Sequence, residues 1–371
     1  MEVHLKILLI DDQPESVEAL HEQLVKDFGE IECRVVDFPA AVAAIEQMDP
    51  DLVVLDLLHG SEAELEAPGL ETANHIWTRK FCPLIFYTAA PERVSGSHFP
   101  SHPFVGVVPK GIDSELRVRD KVKSFHPHVE ALAQVRKEIR SAMDKALQSV
   151  APRVMEAATA SVPERIDMLT RAARRFVAAQ MDEALTNAKP PPLKNWEFYL
   201  CPPLVAHLLT GDIVRQKSTD KTQPSNYAIV LTPSCDLVCE GTRVPKVAHV
   251  LVAICTPVER LLQDLNVPSK DAHEHRNEIR SMLSRGYTQS CLAIAALPGE
   301  FPAMAADFRQ LRLIALDDDK TGLKNYDRVA SVDNPLRELF AWAFMLSSAR
   351  PALPDRNYKD WAKEIVEAVK A

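Results

Sequence analysis

The sequence predicts an α/β N-terminal domain on a doubly wound parallel sheet, a helical linker, and an α+β C-terminal domain with a small antiparallel sheet or barrel. Three observations on the 371 residues carry this. Strand-like apolar runs alternate with helix-patterned segments over the first 125 residues, helical periodicity takes over to about residue 190, and short runs bounded by turn residues follow. Alternation places helices on both faces of a parallel sheet, whereas short runs separated by turn signals favour antiparallel pairing. The domains are accordingly drawn at 1–125, 126–190 and 191–371.

In chain order, Ile7-Leu8-Leu9-Ile10 is an apolar run closed by Asp11 and Asp12. Val17, Leu20 and Leu24 follow Pro14 at helical spacing, Val35-Val36 reads as a strand, and Ala41, Ala44, Ile45 and Met48 form the face of a second helix. Leu52-Val53-Val54-Leu55 closes on Asp56, Leu84-Ile85-Phe86-Tyr87 on Thr88, and the run from Phe104 to Pro109 on Lys110. In an open parallel sheet the ligand crevice lies at the carboxyl ends of the strands, so these four strand ends converge. Carboxylates delivered there make a site for a hard divalent cation.

This ordered set of acid pair, single acid, hydroxyl and lysine resembles the receiver domain of two-component response regulators, a flavodoxin-like fold. The resemblance covers roughly the first 125 residues and implies a role for each residue. Asp11 and Asp12 would hold Mg²⁺ together with Asp56 and the backbone carbonyl of Leu58. Asp56 would accept a phosphoryl group from a sensor histidine kinase or phosphotransfer protein, and Thr88 and Lys110 would contact the phosphoryl oxygens. Several features depart from the family. The loop from Leu57 to Pro68 is lengthened, and Val107 stands three residues before the lysine, where an aromatic switch is usual. Gly111 follows Lys110 where proline is frequent, and Pro91, Gly96, Pro100 and Pro103 break the fourth helix.

From about 127 the pattern is helical. Leu132, Val135, Ile139, Met143, Ala146 and Val150 form a stripe that Pro152 is expected to interrupt. Ser161 and Glu164 fit a capping box for a second helix with Ile166, Leu169, Ala173, Phe176, Val177 and Met181 on one face. A helical hairpin or a dimerising coiled coil would both satisfy these stripes, so a homodimer is among the expected partners. Strands are then predicted at 211–214, 227–232, 247–254, 290–297 and 311–316, with a helical insertion at about 257–286 and two terminal helices after Asn334 and Pro354.

Composition narrows the function classes. The net charge of −9 is concentrated in residues 1–125, where 22 acids face 11 bases. Such a balance offers no clustered basic face for nucleic acid. No apolar run is long enough to span a membrane, no secretory signal opens the chain, and seven scattered cysteines suit a reducing cytoplasm. The C-terminal domain carries one chemical candidate, Cys235-Asp236 with Cys239, directly after a strand. It reads as a turn with two small buried thiols, a metal or ligand site, or a nucleophile. Output is therefore expected through protein contacts with a downstream target; a receiver-gated enzyme or ligand-binding domain, and a phosphate sink or scaffold, are the alternatives.

Overall fold

The computed structural model describes residues 5–29, 31–58, 68–95, 97, 99, 102–156, 161–182, 192–334, 336–349 and 357–370. They belong to two compact units, Met1–Ala188 and Lys189–Ala371.

The first unit begins β1 (Leu5–Ile10), α1 (Glu18–Phe28), β2 (Ile31–Val36), α2 (Phe38–Met48) and β3 (Leu52–Leu55). It continues α3 (Pro68–Arg79), β4 (Leu84–Thr88), α4 (Glu92–Ser95) and β5 (Val105–Pro109). The strands pair in the order β2-β1-β3-β4-β5, all parallel. Strand order reverses between β1 and β3, which opens the crevice above those two strands. Burial on both faces explains why the central strands read as unbroken apolar runs: β3 and β4 are buried throughout and edge strand β2 is half exposed. Leu8, Ile10, Val53, Leu55 and Phe86 pack with Ala41, Ile45 and Ile76 on one face. On the other face Ile7, Leu9, Val54 and Tyr87 pack with Leu20, Leu24, Val118 and Val122. Asp37 caps α2 by accepting from the Ala40 amide at 3.0 Å, and Gly29 ends α1.

The fourth helix is a single turn, as its prolines and glycine predict; residues 96, 98, 100 and 101 lie outside the described set, as does the loop at 59–67. The predicted boundary at 125 falls inside α5 (Ser114–Glu156), a continuous helix of 43 residues. Pro152 does not interrupt it, and neither does Pro127. Both prolines are exposed, as are Lys123 and Gln148, four residues earlier, whose carbonyls lose their amide partners on a side open to water. α6 (Val162–Asp182) packs along α5, and its start carries the predicted box: Glu164 Oε2 accepts from the Ser161 amide at 2.7 Å and its hydroxyl at 2.8 Å. The predicted stripes do not form that contact as a whole. Ala142, Ala146, Val154 and Ala173 are buried, whereas Val135, Ile139, Met143 and Ile166 stay largely exposed. Small residues let two helices approach closely, and one neighbour covers only part of a helix's apolar surface.

The second unit contains β6 (Tyr199–Leu200), β7 (Ile213–Gln216), β8 (Tyr227–Val230), α7 (Ser234–Leu237), β9 (His249–Thr256), α8 (Glu259–Asp264) and α9 (Arg276–Arg285). β10 (Cys291–Ile294), β11 (Met304–Ala315), β12 (Tyr326–Val332), α10 (Leu336–Ser348) and α11 (Tyr358–Lys370) complete it. Seven strands pair antiparallel in the order β10-β11-β9-β8-β7-β12-β6. One face buries Tyr227, Ile229, Cys255, Met304 and Phe308 together with Phe340 and Ala343 of α10; the other buries Ala228, Val230, Val252 and Leu237. Tyr199 of edge strand β6 donates to the Ala295 carbonyl at 2.7 Å, just past the opposite edge strand β10, so the sheet curls towards a barrel.

Two charged clusters sit within this core. Asp212 is wholly buried; its Oδ1 accepts from Ser331 Oγ at 2.7 Å, its Oδ2 from the Leu209 amide at 2.7 Å, and Arg328 Nε lies 2.7 Å from Oδ2 as an ionic contact not aligned for a hydrogen bond. At the other end, the register of β11 shifts between Asp307 and Leu311, and Asp307 holds that bulge by accepting from the Arg309 amide at 2.9 Å and from Arg260 at 3.3 Å.

Candidate functional site

Two strand ends build the acidic part of the crevice. Asp11 follows β1 and is 1% exposed; Asp56 follows β3 and is 7% exposed; Asp12 is half-buried. One oxygen from each lies within 4.8 Å of the others. Lys110 follows β5 and reaches back across the strand ends, its Nζ 2.7 Å from Asp11 Oδ2 and 2.7 Å from Asp56 Oδ2. Burial pulls the ammonium towards neutrality, but its hydrogen bonds to Asp11 and Asp56 and their charges outweigh it, so its pKa is raised and Lys110 stays charged. Two nearly buried carboxylates are thereby held together by one compact cation.

The remaining atoms are directed by backbone. Asp56 Oδ1 accepts from the amides of Leu57 at 2.6 Å and Leu58 at 3.4 Å, and Asp11 Oδ1 from the Gln13 amide at 2.9 Å. Thr88 is fully buried, and its Oγ1 accepts from the Ala90 amide at 3.2 Å, which points its hydroxyl hydrogen elsewhere. Gly69, at the start of α3, lies flat against the acceptor strand: a Cβ there would sit 2.3 Å from the Asp56 carbonyl oxygen and 2.6 Å from Leu57 Cα. Neither contact can be relieved by a side-chain rotation. Gly69→Ala is expected to cost about 1–3 kcal/mol of stability, measurable by urea denaturation, and to weaken Mg²⁺ binding by displacing Asp56.

The donor set fits Mg²⁺. Mg²⁺ takes oxygen ligands, carboxylates above all, and this cluster offers three carboxylates with one oxygen of each within 4.8 Å of the others. Asp11, Asp12 and Asp56 would hold it, with Leu58 placed beside them by its amide contact to Asp56.

The all-parallel strand order β2-β1-β3-β4-β5 defines a flavodoxin-like fold for the N-terminal unit. Among solved structures it is similar to the receiver domain of a putative LuxO repressor protein from Vibrio parahaemolyticus (21% identity, 36% of this chain and 98% of that chain, TM-score 0.27). It is also similar to the PhyR response regulator receiver domain of Erythrobacter litoralis (24% identity, 33% of this chain and 88% of that chain, TM-score 0.27). A third is the response regulator PhyR from Brucella abortus (25% identity, 36% of this chain and 52% of that chain, TM-score 0.28). No protein-family model and no curated protein matches the chain.

The sequence-predicted receiver residues thus come together, whereas the C-terminal candidates do not. Cys235 and Asp236 lie in the single-turn helix α7, with Cys235 Sγ 3.7 Å from Asp236 Oδ1 and Asp236 paired to Lys246 at 2.8 Å. Cys239 faces the Asp319 carbonyl at 3.9 Å. Among the described residues, Asp11, Asp12 and Asp56 form the one group of three metal-ligating side chains, so these cysteines gather no third ligand. The expected pair of buried thiols is also corrected: Cys235 is exposed and Cys239 half-buried, because a one-turn helix on the sheet surface buries Leu237 and turns its neighbours outward. Burial pushes the Cys82 thiol up to about 12 and Cys291 to about 11. A maleimide reagent at neutral pH is therefore expected to modify Cys201 and Cys235 first, and Cys235→Ser to change stability by no more than about 0.5 kcal/mol.

Proposed function

We propose that this chain is a response regulator of a two-component system that accepts a phosphoryl group on Asp56. The observation carrying this reading is Lys110, whose Nζ bridges Asp11 and Asp56 at 2.7 Å each beside a buried Thr88. An Asp56 oxygen attacks the phosphorus of a phosphohistidine on the donor; the new O–P bond forms as the N–P bond breaks, and the imidazole leaves. Bound Mg²⁺ would supply charge neutralisation between the carboxylates and the incoming anion. Lys110 exchanges a carboxylate for a phosphoryl oxygen, Thr88 donates its hydroxyl hydrogen to another, and the amides of Leu57 and Leu58 keep the Asp56 carboxyl oriented.

The partners that follow are a sensor histidine kinase or phosphotransfer protein upstream and a downstream protein target. No helix among the described residues is long and apolar enough to cross a membrane. Output falls to the second unit and the α5–α6 hairpin, through protein contacts. The test is labelling with ³²P-acetyl phosphate. Wild type with Mg²⁺ is expected to take up acid-stable, hydroxylamine-labile label, and Asp56→Asn or chelation to abolish it. An unlabelled wild type sinks the reading.

A further inference from the structure

Tyr87 stands between the phosphoacceptor site and the start of α5. Its ring lies under Lys110, with Nζ 5.4 Å from the ring centroid, within the range of a cation–π contact. Its hydroxyl is 2.8 Å from Ser114 Oγ and donates to Glu115 Oε1 at 3.3 Å. Ser114 is the buried first residue of α5. One side chain therefore touches the lysine of the site and the first turn of the helix that leaves the receiver. Tyr87 is itself buried, next to Thr88 on β4, so both residues respond to that strand end.

A tyrosine that merely filled core would gain nothing from its hydroxyl, because a buried hydroxyl must recover by hydrogen bonding what it loses in water. Here the hydroxyl is directed at the one element that continues into the hairpin. On β5, where an aromatic could have turned inward, Val107 is partly exposed.

We propose that Tyr87 is the positioning residue that reports the state of Asp56 to α5. This rests on the phosphoacceptor reading. Lys110 now shares its charge between two carboxylates; once Asp56 carries a phosphoryl group, the ammonium moves to a phosphoryl oxygen and its place over the ring changes. The ring follows, and the bonds to Ser114 and Glu115 re-set the first turn of α5.

The test is amide hydrogen exchange on the full chain with beryllium fluoride and Mg²⁺, comparing wild type, Tyr87→Phe, Ser114→Ala and Asp56→Asn. Peptides covering 5–12 and 52–58 read site occupancy, and those covering 114–130 read the helix start. In wild type, exchange in 114–130 is expected to change about threefold or more on addition of the analogue, since exchange follows local opening. In Tyr87→Phe, occupancy is retained and the change in 114–130 is lost; Ser114→Ala reduces it. An Asp56-dependent response that both Tyr87→Phe and Ser114→Ala keep in full overturns the relay and leaves the phosphoacceptor reading standing. A wild type that responds nowhere, like Asp56→Asn, overturns both.

Discussion

Replacing Lys110 with methionine is expected to lower the stability of the first unit by about 3 kcal/mol or more in the absence of divalent cations, and millimolar Mg²⁺ is expected to restore most of it. The variant keeps the aliphatic stem and removes the charge that Asp11 and Asp56 share at 2.7 Å each. Removing one partner of a buried pair leaves the other charge uncompensated, and here two carboxylates are left. Since the lysine pKa is raised above its ordinary 10.5, its contribution is present in full below that value and is lost only as pH rises through the higher folded value. Across neutral pH, wild-type stability should therefore be flat with respect to this group. Urea denaturation of both proteins, with EDTA and with Mg²⁺, measures the effect; an equal loss in both conditions would show that Mg²⁺ does not take over the charge of Lys110 between Asp11 and Asp56. Phosphoryl uptake by the variant should fall sharply even with Mg²⁺ present.

Arg328→Met is expected to have a comparable effect in the second unit, about 3–5 kcal/mol at pH 7–8, because it strands the buried Asp212. Burial already pushes the Asp212 carboxyl up, against the pull of Arg328, Ser331 and the Leu209 amide. Without the arginine it rises further. A raised folded pKa favours the protonated form, so the variant's deficit should shrink as pH falls through that value and be greatest above it. Arg328 also donates to the Val205 carbonyl at 2.5 Å and to Ser331 Oγ at 2.9 Å, so the loop before β7 should loosen as well. Asp212→Asn in the Arg328→Met background is the control; recovery of part of the loss isolates the buried charge from the lost packing.

These two sites differ in how legible they were. Asp11, Asp56, Thr88 and Lys110 each close an apolar run, so a strand period and a strand end suffice to place them together. Asp212 and Arg328 have no such frame. β12 reads Tyr-Asp-Arg-Val-Ala-Ser-Val, with polar side chains where an inward-facing strand would normally be apolar, because Arg328 and Ser331 close around Asp212. The strand was invisible to hydrophobic patterning for the reason that makes its arginine matter. The first half of β11 was missed because its buried residues include two alanines and Asp307, too weak an apolar signal before the bulge. Two-residue β6 is too short to show a period. Exposed Pro152 read as a break in α5 although water can take over the carbonyl it orphans. Tyr87 and Gly69 were hidden differently: a tyrosine at the end of a buried strand looks like core, and a glycine after a loop looks like a hinge, until the partner atoms are known.

The continuity of α5 has a mechanical consequence. Val118, Val122, Phe125 and Val129 clamp its first turns to the sheet and Arg136 still donates to the Phe81 carbonyl, while the 20 residues from 137 to 156 lie beyond those contacts. At 1.5 Å per residue this is an arm of about 30 Å. A tilt of about 5° at the clamped end would swing the far end through about 2.6 Å, larger than the 1–2 Å helix shifts that suffice at regulatory interfaces. A sub-ångström adjustment around one lysine can thus be read at a distance by leverage, without any side chain of the acidic crevice touching what reads it.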